Sequence, residues 1–332
     1  MTVRRRARAI FLQAGNMAFF FRKKKNPGWL AIGFQADAVC AAHVRRVTDA
    51  RPIVEWAASF PANRNALAEA LGRVEKERST AAHDCTTLLS FGEYQMLSMD
   101  APAVQPEELK SAVRWRLREM LDYHADDATI DVLAVPAEKG LAARNSTLFA
   151  IAARNAVIQQ RQDLFDDAKA SLRVIDIPEM AQRNMAALLE PERTALAMLS
   201  INADGALVTV THDDVLYFAR QIDVTAEQLL HGDTYATASY HERIALELQR
   251  SIDHFDRQHH SIPVSRLALA PLGGDPSGLQ EYLKTNMYIP VSTLDLASVL
   301  DFSSTPHLQD ARAQQQFFLV LGAALRLEEK AL

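Results

Sequence analysis

Several classes of protein are excluded by what this 332-residue chain lacks. It has two cysteines, Cys40 and Cys85, too few for a disulfide framework and at no metal-ligand spacing. Both lie in apolar, strand-like runs, which predicts buried thiols in a reducing compartment. No run of about 18 apolar residues occurs, so no transmembrane helix is expected. The sequence has no Gly-x-x-x-x-Gly-Lys-Ser/Thr phosphate loop, and neither Ser90 nor Ser200 sits in a nucleophile elbow. Asp122, Asp126 and Asp127 lack the glycine and spacing of a calcium loop and read as a solvated turn. His241, His254, His259 and His260 surround one predicted helix, and the pair 259–260 reads as an exposed helix end. A net charge of −5 offers no overall attraction to nucleic acid. No catalytic residue and no metal ligand is assigned.

What is present is a hydrophobic fraction of 48% with 23% charged residues, enough for a substantial core, over a length that suggests about two domains. Positive charge is concentrated in the first 25 residues. The apolar stretch 9–21 is broken by Gln13, Gly15 and Asn16 and is followed by the basic run 22–25. A secretory signal ends in small residues, whereas this one ends in phenylalanines and cations, so export is not expected. The unit MAFFFRKKK, starting at Met17, pairs aromatic residues with cations in a way that suits a bilayer interface. Met17 is therefore expected as the natural start; the competing reading is a basic leader without consequence.

Pro27-Gly28 ends this tail. Strands are expected at 29–34, 39–47 and 53–60, then a helix carrying Leu67, Leu71 and Val74, then a strand at 86–90. A small module follows over about 92–177, with strands at 94–99, 130–135 and 148–153. Its helix opens at Pro106-Glu107-Glu108, with proline where no N–H is needed and carboxylates at the positive end. That helix is expected to bury Leu109, Val113, Leu117 and Met120, and to turn Trp115, Arg114, Arg116 and Arg118 toward a partner or solvent. A helix at 159–169 and a strand at 172–177 complete the module. After a helix at 179–189 the first pattern recurs: strands at 195–201, 206–211 and 215–222, a helix at 241–255, a strand at 267–269, a helix at 278–285, a strand at 289–293 and a final helix at 314–327. The domains expected are a tail (1–27), a first domain (28–190) with the module inserted, and a second domain (191–332) whose last helix packs back between the two.

The stretch LALAPLGGDPSGL, residues 267–279, runs from a strand through paired glycines into a helix, a geometry that brings backbone close to a ligand or a partner loop. The turns near residues 33 and 202 are expected to face it. With these three loops, the doubled pattern and the inserted module in view, the chain resembles the type IV pilus assembly protein PilM family, in particular the MshI branch of mannose-sensitive haemagglutinin (MSHA) pilus systems. The segments PGWLAIGFQADAVCAAHVRR, YQMLSMDAPAVQPEELKSAVRWRLREML, VIDIPEMAQRNMAALL and FFLVLGAALR carry the resemblance in order and spacing from Gly28 to Leu327.

The resemblance implies an α/β fold of the actin-like ATPase (ribonuclease H-like) type, related to the cell-division protein FtsA: two duplicated domains around a crevice, with a small α+β subdomain inserted. It also implies a cytoplasmic protein, peripheral at the inner membrane, that binds the N-terminal tail of a PilN-type or MshJ-type partner. The nucleotide loops depart from the family pattern. Ala31-Ile32-Gly33-Phe34-Gln35 stands where the family has Asp-Ile-Gly-Ser-Ser, and Ser200-Ile201-Asn202 where it has Asp-Ile-Gly. Asp275 would repel a polyphosphate beside the third loop. The carboxylates that would organise a metal are gone, and phosphoryl transfer depends on such positioning and charge neutralisation. A pseudo-ATPase scaffold with no cofactor is expected; the alternative is a nucleotide-dependent switch in which Gly33, Gly273 and Gly274 hold residual ATP with magnesium.

Overall fold

The computed structural model describes residues 26–136, 147–190, 193–273 and 278–327. The unit MAFFFRKKK, with the expected start at Met17, lies outside the described residues, as do Gly274 and Asp275. At residue 26 the chain is pinned. The Asn26 amide N–H donates to Ala82 O (2.7 Å), the His43 ring meets Pro27 O (3.1 Å), and the His83 ring meets the Asn26 side chain (3.1 Å).

β1 (Trp29–Phe34), β2 (Ala38–Arg45) and β3 (Ile53–Pro61) form an antiparallel meander. After α1 (Leu67–Glu77), β4 (Asp84–Leu88) joins β1 in parallel. β1 and β2 are apolar at nearly every position because both faces are covered. Leu30 and Ile32 pack with Leu71, Val74 and Phe165, while Ala31, Cys40 and Ala42 face the centre of the molecule. Cys40 and Cys85 are buried free thiols, and burial pushes Cys40 up to about 11.

β5 (Tyr94–Asp100), α2 (Leu109–Leu117), β6 (Ala128–Ala134) and β7 (Thr147–Arg154) form a three-stranded sheet of order β5-β7-β6 under one helix. Val113 and Leu117 are buried against it, whereas Met120 is exposed, because the helix ends at Leu117. α3 (Asn155–Asp167) then packs beside α1, and β8 (Val174–Asp176) pairs in parallel with β4. The small sheet thus closes at Arg154. The return strand expected to end the inserted module belongs to the first sheet, since parallel pairing at β4 buries all three of its residues.

α4 (Pro178–Ala186) leads to β9 (Ala195–Asn202), β10 (Gly205–His212) and β11 (Val215–Ile222), a second antiparallel meander. α5 (Ala226–His231) starts with a capping box between Thr225 and Gln228. α6 (Thr234–Gln258) starts seven residues before its expected position because the Asp233 side chain caps Ala236 N. β12 (Val264–Leu269) joins β9 in parallel, α7 (Leu279–Asn286) follows, and β13 (Val291–Thr293) joins β12. The final helix, α8 (Ala311–Ala324), begins at an Asp310 cap, three residues earlier than expected.

The two five-stranded sheets have orders β3-β2-β1-β4-β8 and β11-β10-β9-β12-β13, with the same succession of antiparallel and parallel pairings. One core joins them: Ala31, Cys40 and Ala42 of the first sheet, Leu196, Met198 and Ala268 of the second, and α4 and α8 between. The two helices cross where Gly322 meets Ala181; a Cβ at Gly322 would lie 2.3 Å from Ala181 O. Asn184 Nδ2 donates to Gly322 O at the same point (2.9 Å).

Candidate crevice site

The first loop, 33–37, joins β1 to β2 and ends the β1 alternation between two faces. Gly33 lies on the face toward α8, and a Cβ there would be 2.7 Å from Val320 Cγ2. Phe34 lies on the other face, edge-on to Phe165 with centroids 6.1 Å apart, and the Arg161 guanidinium sits 4.8 Å from its ring centroid. Phe34 is therefore housed on the side away from α8. Gln35 reaches α8 instead, with Nε2 donating to Gln316 O (2.8 Å).

The second loop follows Ser200-Ile201-Asn202. Ser200 is buried, and its Oγ donates to Gln182 Oε1 of α4 (2.5 Å). Gln182 is itself fully buried, with Nε2 at 3.0 Å from Met198 O, 3.2 Å from Leu207 O and 3.0 Å from Thr209 Oγ1. Asn202 turns its side-chain oxygen onto Asp204 N, which shapes the hairpin. Gln315 of α8 donates from Nε2 to Ile201 O (3.3 Å). Of the third loop, Gly273 is described, in the left-handed region at φ 62. A Cβ on it would stand 2.6 Å from Gln315 Oε1 and 3.4 Å from Arg312 Cγ. Of the expected site residues, Gly33 and Gly273 both face α8.

A second cluster ties the inserted sheet to both halves. Tyr94 of β5 donates to Glu179 Oε2 (2.6 Å), and Gln221 of β11 donates to Glu179 Oε1 (3.2 Å). Burial raises the Glu179 carboxyl above its ordinary range against these hydrogen bonds, and burial with the Glu179 charge raises the Tyr94 hydroxyl well above its own. The histidines around α6 disperse: His241 packs on Tyr282, His254 on Phe218, and His259 on Phe255 and Tyr217. His259 is half-buried rather than exposed, because its ring completes that aromatic group. On α2 Trp115 is 70% exposed, while Arg114 and Arg116 bind backbone carbonyls of their own module.

The amides Gln35, Gln182, Gln315 and Gln316 belong to no motif. The cue to Gln315 and Gln316 in the sequence is the run Gln314-Gln315-Gln316 at the head of an otherwise apolar helix, and Gln35 and Gln182 have none.

The profile of the family described as type IV pilus assembly protein PilM matches residues 57–236. The chain belongs to the PilM family. A chain of a structure described as the PilM-PilN type IV pilus biogenesis complex superposes with a TM-score of 0.70 at 18% identity, covering 92% of this chain and 98% of that one. This PilM-family chain has the actin-like ATPase fold, seen here as two sheets of one topology around α4 and α8. More distant likenesses include a Bacteroides thetaiotaomicron protein with an actin-like ATPase fold (TM-score 0.49, 10% identity, 88% and 99% coverage). Another is the cytoplasmic domain of EpsL, an inner-membrane component of the type II secretion system of Vibrio cholerae (TM-score 0.47, 12% identity, 87% and 93% coverage). A comparison with curated protein sequences finds no match. Among the described residues, no helix is long and apolar enough to cross a membrane.

Proposed function

We propose that the chain is a pseudo-ATPase scaffold of an MSHA-type pilus assembly machine, of the MshI branch, which binds the cytoplasmic N-terminal tail of a PilN-type or MshJ-type inner-membrane partner. Its working unit is a pair of domains, 28–190 and 191–332, around a crevice, with the inserted module as an added surface. The tail 1–27 adds weak attraction to anionic lipid and keeps the protein peripheral at the inner membrane.

The observation that carries the reading is the state of Ser200. At the position where the family has a metal-organising carboxylate, this residue is a neutral hydroxyl bound to buried Gln182. The other two loops agree: Ala31 is buried in the core, and Gly33 and Gly273 abut Val320 and Gln315. The residues present do not fit magnesium with a polyphosphate. A fold kept without its ligand chemistry supports a role in assembly, and the PilM-PilN complex supports the class of partner. Pull-down of the purified chain by a peptide of the partner's cytoplasmic tail is expected to retain it with no nucleotide added. Failure of a folded sample to bind would overturn the proposal.

A further inference from the structure

We propose that α8 joins the two halves from within: Gln35, Gln315 and Gln316 form an amide latch that runs from the first loop to Ile201 and Gly273 and holds the halves in one arrangement without a ligand. The inference rests on the scaffold reading and adds what replaces the nucleotide.

Each half sends its last helix into the other. α8 follows the second sheet in the chain, yet it packs on β1 and β2 of the first. Gln35 binds the Gln316 carbonyl, and Gln316 Nε2 reaches Ser59 Oγ on β3 (3.2 Å), so two bonds fasten α8 to the first sheet. One residue earlier, Gln315 binds Ile201 O and leans on Gly273, which fastens the same turn of helix to the second half. α4 makes the reciprocal connection. It ends the first half, and its Gln182 lies against Met198, Ser200, Leu207 and Thr209 of the second sheet.

A bound nucleotide bridges two halves through charge: phosphate oxygens accept from loop N–H groups and a cation draws in carboxylates. Here carboxamides bridge them without charge: through Nε2, Gln35 and Gln315 donate to backbone carbonyls and Gln316 donates to the Ser59 hydroxyl. The three amides are half-buried, and a polar network satisfied in one geometry favours that geometry. It also accounts for a glycine. At 273 the backbone has a positive φ, and the Gln315 side chain occupies the space where a Cβ would go. The glycine is there to admit the latch.

The test is native-state hydrogen–deuterium exchange on the full chain, comparing wild type with Gln35→Ala and Gln315→Ala, each with and without ATP and magnesium. Loss of one or two such bonds is expected to speed exchange in peptides covering 33–38 and 200–206 by about 5- to 30-fold, with α2 unchanged. Unchanged exchange in both loops of both variants would overturn the latch and leave the scaffold reading intact. Protection of the wild-type loops by ATP would instead overturn the pseudo-ATPase reading. Gln35 sits in a half-buried turn, so its variant carries the test if Gln315→Ala fails to fold. A double-mutant cycle gives a second readout: Gly273→Ala is expected to lower the Tm of wild type more than that of Gln315→Ala. Equal losses in the two backgrounds would contradict the contact.

Discussion

Glu179 stands at the first turn of α4 with a carboxyl buried among Tyr94, Gln221 and Asp176. Burial raises it from an ordinary value of 4.5, so ionising this carboxyl costs more in the folded chain than in the unfolded one. The stability this provides is fully present below the unfolded value and is lost as pH rises through the folded one. Glu179→Gln keeps the neutral form at every pH. Its Tm relative to wild type is therefore expected to rise as pH goes from about 4 to about 8, which thermal melts across that range will check. A constant difference would contradict the raised carboxyl. Single residues also show where sequence reading stops. A glycine announces that a side chain is excluded, but not what excludes it. At 33 and 273 the excluding atoms belong to Val320 and Gln315, roughly 290 and 40 positions away by numbering, and no local pattern points to them.

At the scale of elements, helix α8 meets α4 through a contact that leaves no room for a side chain, since a Cβ at Gly322 would fall 2.3 Å from Ala181 O. Gly322→Val is expected to destabilise the fold by about 1–3 kcal/mol through forced separation of the two helices, read by urea unfolding. Wild-type stability in that variant would show that the helices part freely. Trp115, on the outer side of α2, lies at the opposite extreme; Trp115→Ser is expected to change stability by less than about 0.5 kcal/mol in the same assay. Strands with alternating or continuous apolar runs were legible, as were the apolar stripes of α1 and α6. Helix starts were less so, because the Asp233 and Asp310 caps act before the apolar period begins. β8 was legible as a strand but not in its partner. Three residues carry no register, and only the parallel pairing with β4 assigns it to the first sheet.

For the molecule as a whole, the doubled order of strands and helices was readable because each half repeats one set of lengths and turns, and the two sheets share one topology. The core that joins them was not readable, since the small residues Ala31, Ala42, Ala181 and Gly322 have no period of their own and meet only when the halves assemble. The residues Ala31, Phe34 and Ser200 were visible in the sequence, whereas the amide hydrogen bonds beside them, from Gln35 to α8, from Ser200 to Gln182 and from Gln315 to Ile201, emerged from the geometry. The account's central claim is that the crevice survives as architecture and that assembly on a partner tail needs no nucleotide. Calorimetric titration of the full chain with a peptide of the partner's cytoplasmic tail, without nucleotide and then with ATP and magnesium, tests it most directly. The account predicts binding of the same affinity in both titrations; binding that appears only with ATP and magnesium would contradict it.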